Sequence, residues 1–172
     1  MTKREFLNAV SNDGEDVLQR VLNLLETEKT GYCVIGGLAV NAYVEPVVSL
    51  DLDIVVVSSG IESFIKEVQK NFVLEKFAHS YNISRSTSDL RIQIQTDPRY
   101  QAFISRASIK EVMGYKMNIA SLEDVLQGKI WAYSDKLRRK SKQQKDLADI
   151  YRLIETYPQL KEKLPESIKE NL

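Results

Sequence analysis

Cysteine is nearly missing from this chain. The single thiol, Cys33, rules out an internal disulfide and any zinc site built on several thiolates, and it fits a reducing compartment. Histidine is as scarce: with His79 alone, multi-histidine metal sites are excluded, and any Ser–His or Cys–His pair would have to run through that residue. Carboxylates are left to carry any chemistry. No run of about 18 apolar residues occurs, and the opening MTKREFLNAV puts charges where an export signal needs its apolar stretch. Membrane spanning and export are therefore not expected, and the chain reads as cytoplasmic. An excess of either charge sign is missing too. Lys plus Arg number 24 and Asp plus Glu 24, so no whole-molecule field announces nucleic acid or membrane, and any such attraction must be local. What is present is an ordinary globular composition: 172 residues, 43% hydrophobic and 28% charged, enough for one compact core.

Val17, Leu18, Val21, Leu22, Leu24 and Leu25 recur at helical spacing and predict an amphipathic helix ending before Gly31. Tyr32 to Ile35 predicts a short buried strand. Gly36-Gly37 then turns the chain into a small-residue helix through Tyr43, which Glu45-Pro46 breaks. Leu50 to Val57, LDLDIVVV, is β-branched and apolar except for two aspartates at its start, the clearest strand in the chain. A helix with Ile61, Phe64, Ile65 and Val68 on one face runs to Asn71, and a strand follows over Phe72 to Phe77. Leu90, Ile92 and Ile94 alternate with Arg91, Gln93 and Gln95, the period of a strand with one buried face. Ile109 to Ile119 reads as a hairpin turning at Gly114. Ser121-Leu-Glu-Asp124 has the form of a capping box and opens a helix through Tyr133; a second helix is expected over Gln144 to Thr156. The expected fold class is α/β (α+β): a mixed-sheet core over residues 1–119 with a C-terminal helical appendage over 120–172.

The segment with chemical content runs from Gly36 to Val56. Gly36-Gly37, between a strand and a helix, lets backbone approach a ligand and leaves N–H groups that suit phosphate oxygens, or serves only as a turn. Asp51 and Asp53 are two apart on a strand, so both side chains leave the same face. Either they converge on one divalent ion, for which Mg²⁺ is the usual partner where phosphates are bound, or they are two solvated acids at a strand edge.

A strand, Gly-Gly, a small-residue helix and then Ser-x-Asp-x-Asp on the next strand resembles the nucleotidyltransferase superfamily, with its polymerase β-like fold. More narrowly, the chain resembles the AbiEii-type or MenT-like nucleotidyltransferases of bacterial toxin–antitoxin and phage-defence systems. A second signature carries that resemblance: a lysine-bearing helix with Lys129, a basic stretch, and Lys145-Asp146-x-x-Asp149. The resemblance implies an Mg²⁺-dependent transfer of NMP from an NTP to an acceptor, tRNA or protein among the candidates, with a cognate antitoxin as a further partner. It implies Asp51 and Asp53 as metal ligands, Lys129 and Asp146 as further catalytic residues, and Gly36, Gly37, Ser49 and Lys145 at the nucleotide. Two positions depart from the pattern. Gln93 stands where the family places a third carboxylate, and Val47-Val48 occupy the stretch that would carry an arginine before Ser-x-Asp-x-Asp. An amide cannot act as a base. Of the two acids that could replace it, Asp97 and Asp146, the resemblance favours Asp146.

Lys136 to Lys145, KLRRKSKQQK, holds six cations and no acid. It reads as a track for an RNA backbone or triphosphate, or as a solvated connection between helices. Lys129 shares a helix face with Leu126 and Tyr133, so it reaches a cleft or snorkels to solvent. His79 is expected to be exposed or structural, Cys33 to be core, and Trp131 with Tyr133 and Tyr151 to pack between the C-terminal helices. Two functions remain open: a transferase, or a degenerate domain that binds nucleotide, RNA or a partner protein without turnover, which Gln93 favours.

Overall fold

The computed structural model describes residues 1–170. Its order is α1 (Lys3–Val10), α2 (Val17–Thr27), β1 (Tyr32–Ile35), α3 (Gly36–Val40), β2 (Asp51–Val56), α4 (Ile61–Val68), β3 (Val73–Lys76), β4 (Ser80–Arg85), β5 (Ser88–Gln95), α5 (Phe103–Arg106), β6 (Ser108–Val112), β7 (Tyr115–Ile119), α6 (Leu122–Ser134), α7 (Lys140–Thr156) and α8 (Glu166–Lys169). Among the described residues, seven strands form one mixed sheet in the order β3-β4-β5-β2-β1-β7-β6. β2 runs parallel to β5 and β1 parallel to β7, while the remaining neighbours are antiparallel.

The period of two sorts β2 onto two faces. Leu52, Ile54 and Val56 are fully buried on one; Asp51 and Asp53 leave from the other. On β5 the same alternation buries Leu90, Ile92 and Ile94 and turns Arg91, Gln93 and Gln95 the opposite way. Helices α2 and α4 pack on each other, with Leu18, Val21, Leu25, Phe64 and Val68 in the core. Helices α3, α6 and α7 form a second group on the side from which the aspartates project.

Several elements differ from the expectation. Helix α1 comes from a Thr2–Glu5 capping box: Glu5 N–H donates to Thr2 Oγ1 at 3.1 Å and Thr2 N–H to Glu5 Oε2 at 2.6 Å. Its apolar side is too thin for periodicity to reveal. Strand β4 is interrupted by Ser80, Asn82 and Ser84 and carries no strand signal of its own; pairing on both sides makes it a strand. The hairpin turns through Met113 (φ 53°) and Gly114 (φ 84°), the two left-handed residues of a tight two-residue loop. At α6 the capping box is half made. Asp124 N–H donates to Ser121 Oγ at 3.2 Å, but the Asp124 carboxylate takes Arg106 instead, at 2.8 Å through each oxygen. Helix α7 begins at Lys140 rather than Gln144, taking in part of the basic stretch. Trp131 stacks on Phe103 (ring centroids 5.7 Å apart, 10° between planes) and meets Tyr100 edge-on, so it packs toward the β5–β6 connection, not between the C-terminal helices.

Candidate active site

A cavity of about 450 Å³ opens on the face of β2 that carries Asp51 and Asp53. All eight residues singled out in the sequence border it: Gly36, Gly37, Ser49, Asp51, Asp53, Lys129, Lys145 and Asp146. Ser49 comes from the loop leading into β2, and the other seven come from three sources. The β1–α3 turn supplies the glycines, β2 the aspartates, and α6 and α7 the lysines and Asp146.

Gly36 has φ +71°, a conformation that L side chains avoid. Antiparallel pairing of Ile35 with Asp53 brings the strand and the turn together, and a Cβ on Gly36 would fall on Asp53 Oδ2. The glycine therefore makes room for a carboxylate. A Cβ on Gly37 would meet only Ser49 Oγ at 3.8 Å and Asp149 Oδ2 at 3.9 Å. Ser49 closes a short turn onto β2, accepting from Asp51 N–H at 3.3 Å.

The two aspartates live in different fields. Asp51 is ringed by cations: Arg91 Nε lies 2.8 Å from Oδ1, while Lys142 Nζ and Lys145 Nζ lie 3.3 and 3.8 Å from Oδ2. Burial works against ionisation there, yet Lys142 and Arg91 hold the Asp51 carboxyl below its ordinary range. The Asp53 carboxylate has no hydrogen bond or ion pair among the described residues. Burial pushes its carboxyl up and the Asp51 charge adds to the shift, while Lys129 pulls the other way.

Lys129 is buried, 6% exposed, and is held by Asp146 Oδ1 at 3.0 Å and Asp149 Oδ2 at 2.7 Å. Burial opposes its charge, but Asp149 and Asp146 together raise its pKa above that of an ordinary lysine. Arg138 takes the other oxygen of Asp146 at 2.6 Å, and Arg152 takes Asp149 Oδ1 at 2.7 Å. Both oxygens of Asp146 are thus engaged. The basic stretch divides: Arg138, Lys142 and Lys145 pair with carboxylates of the cavity while staying partly exposed, and Lys136, Arg139 and Lys140 are exposed on the surface.

Gln93 stands in register beside Asp53, and Arg91 beside Asp51, on the parallel neighbour β5. From Gln93 the same cross-strand row continues through Asn82 to Glu75, all bordering the cavity. Arg91 is a functional candidate that sequence reasoning did not single out, whereas Lys142 lay within the basic stretch read there as a track for RNA or triphosphate. The alternation of Arg91, Gln93 and Gln95 already put Arg91 on the aspartates' side, given the pairing of β2 with β5. Asp51 and Asp53 offer oxygen ligands of the kind Mg²⁺ takes, one of them unpaired. No group of three or more His, Cys, Asp or Glu placed to hold a metal occurs among the described residues. Nor is any of the described helices long and apolar enough to cross a membrane. His79 is exposed in the β3–β4 turn, and Cys33 is fully buried on β1.

No protein-family model and no curated protein matches the chain. Solved structures do. ANT(2″)-Ia in complex with adenylyl-2″-tobramycin gives a TM-score of 0.61 at 14% identity over 90% of this chain and 96% of that one. The lincosamide antibiotic adenylyltransferase LnuA, lincomycin-bound, gives 0.56 at 14% identity over 81% and 97%. An antigenic nucleotidyltransferase-like protein from Paracoccidioides brasiliensis gives 0.51 at 18% identity over 87% and 75%. At these identities the likeness establishes the fold, which is that of nucleotidyltransferases.

Proposed function

We propose that this chain transfers a nucleoside monophosphate from an NTP to an acceptor hydroxyl. One observation carries the reading. Two carboxylates project from one strand face, one left unpaired over a glycine that exists to admit it, and lysines from α7 stand across the same cavity. Asp51 and Asp53 are the residues that would hold Mg²⁺. When bound, that ion neutralises triphosphate charge and stabilises the charge that develops in the displacement. Lys142 and Lys145 rest on Asp51 and are partly exposed, so their ammonium groups are placed to take phosphate oxygens of a nucleotide bound in the cavity. Lys129 keeps its charge through Asp146 and Asp149 and adds a fixed positive field at the cavity wall. In the transfer an acceptor oxygen bonds to the α-phosphorus, the bond to the bridging oxygen breaks, pyrophosphate leaves, and the hydroxyl proton passes to solvent.

The surface cations Lys136, Arg139 and Lys140 lie next to the paired ones and support RNA, including tRNA, as the acceptor. A toxin–antitoxin or phage-defence setting, with a partner protein, rests on the AbiEii-type resemblance. The solved neighbours that modify antibiotics point to a small polar acceptor as the competing choice. A second reading, nucleotide or RNA binding without turnover, is favoured by Gln93 beside Asp53, where an amide replaces an acid.

The test is incubation with each labelled NTP, Mg²⁺ and bulk tRNA, beside Asp51→Asn and Asp53→Asn. Label transfer lost in both variants is expected, with rates down about a thousandfold. Nucleotide binding without transfer to tRNA, protein or small hydroxylated acceptors would establish the second reading instead.

A further inference from the structure

Strand β5 faces the two aspartates with an unusual pair. Parallel register sets Arg91 against Asp51 and Gln93 against Asp53, so a permanent cation and a neutral amide line the flank of the carboxylates. Two-metal centres hold their ions about 3.5–4 Å apart and need enough anionic ligands to share between them. Here the strand face supplies two carboxylates, and one divalent ion already balances their charge. A third acid does not arrive from α7, because both oxygens of Asp146 are taken by Lys129 and Arg138.

The oxygens of Asp51 are also not equivalent. Oδ1 accepts the Arg91 guanidinium at 2.8 Å, from a residue whose backbone the sheet sets beside Asp51 and whose side chain is 68% exposed. Oδ2 is approached by Lys142 and Lys145 at 3.3 and 3.8 Å, through long chains on a helix that can move to phosphate. Arginine stays charged at any working pH, whereas a metal ion comes and goes.

We propose that Asp51 and Asp53 together would hold a single divalent cation, and that the Arg91 guanidinium on Asp51 Oδ1 takes the place of a second. The inference deepens the transferase reading and rests on it for its purpose, but the metal count is measurable without turnover. Arg91 and Gln93 act together: the amide removes a ligand the second ion would need, and the guanidinium restores its charge.

The experiment is Mn²⁺ titration followed by electron paramagnetic resonance, alone and with one equivalent of a non-hydrolysable α,β-methylene NTP analogue. The protein should bind about one Mn²⁺ per chain and show no spin-coupled Mn–Mn pair. Combining Arg91→Ala with Gln93→Asp should bring a second, coupled Mn²⁺, tightened about tenfold or more; Arg91→Lys should stay at one. Circular dichroism melts check that each variant folds. A coupled pair in the unaltered protein, no Mn²⁺ bound at all, or a folded combined variant that still holds one ion would overturn the proposal. Label transfer with a coupled pair would sink the single-ion proposal and leave the transferase reading standing. One ion without any transfer would do the reverse.

Discussion

The Gly36–Asp53 contact shows how a single missing side chain shapes the site. A substituent on Gly36 meets two penalties at once: the φ of +71° and a collision with Asp53 Oδ2. The conformational term alone is about 1–2 kcal/mol. Gly36→Ala should therefore lower the unfolding free energy by about 1–3 kcal/mol in urea titrations and weaken Mn²⁺ binding by displacing the carboxylate. Gly37→Ala is the control, since its Cβ finds ordinary contacts at 3.8 and 3.9 Å. Mn²⁺ affinity unchanged in Gly36→Ala would refute the view that the glycine serves Asp53. The sequence shows the Gly-Gly pair and the Asp-x-Asp pair plainly. Their touching is not legible there, because it depends on the antiparallel register that sets Ile35 against Asp53.

Between α6 and α7 the cohesion is electrostatic as well as apolar. Three cations, Lys129, Arg138 and Arg152, share two buried carboxylates, Asp146 and Asp149. The cluster already carries surplus positive charge, so the sign of a deletion decides its cost. Lys129→Met leaves two cations facing two acids. Asp149→Asn leaves three cations on one acid and strips Lys129 of a partner where water cannot replace it. Asp149→Asn should then cost about 3–5 kcal/mol, as breaking a buried pair does, and Lys129→Met distinctly less. Urea midpoints at neutral pH measure both, and the reverse order would refute the charge argument. The sequence announced Lys129, Asp146 and Asp149 through the resemblance to AbiEii-type proteins, but not that they bind one another. Helical spacing places residues on a face; it does not say which face of α6 meets which face of α7. The same blindness hid Arg91, whose partner lies 40 positions earlier on a neighbouring strand, and β4, which exists as a strand through its neighbours' pairing.

Across the whole molecule, burial also holds a set of weak acids in their neutral form. Burial pushes the Cys33 thiol from its ordinary value of 9.0 up to about 12, and the Tyr43 phenol from 10.0 up to about 12. The phenols of Tyr32, Tyr100 and Tyr115 are raised as well, with burial the largest cause in each. Tyr43 also donates its hydroxyl proton to the Ala120 carbonyl at 2.6 Å, a bond that ionisation would remove. An acid whose pKa is raised by folding keeps its proton in the native state after the unfolded chain has released it. Its stabilisation is therefore complete below the unfolded value and is lost as pH climbs through the folded one. For Cys33 that window runs from 9.0 to about 12. Unfolding free energy from urea titrations should not fall on account of these groups between about pH 7 and 9, and should then drop with increasing slope toward pH 12. Tyr43→Phe should flatten part of the decline. Over the same lower range, Cys33 should resist a thiol reagent until denaturant is added, because a buried, protonated thiol is neither accessible nor nucleophilic. A free energy that stays level to about pH 11, or ready labelling of native Cys33 at about pH 8, would contradict the shielding. Label-transfer rates measured below about pH 9 then report on the aspartates and lysines of the cavity, and a collapse above it reports on these shielded acids drawing the chain toward its unfolded state.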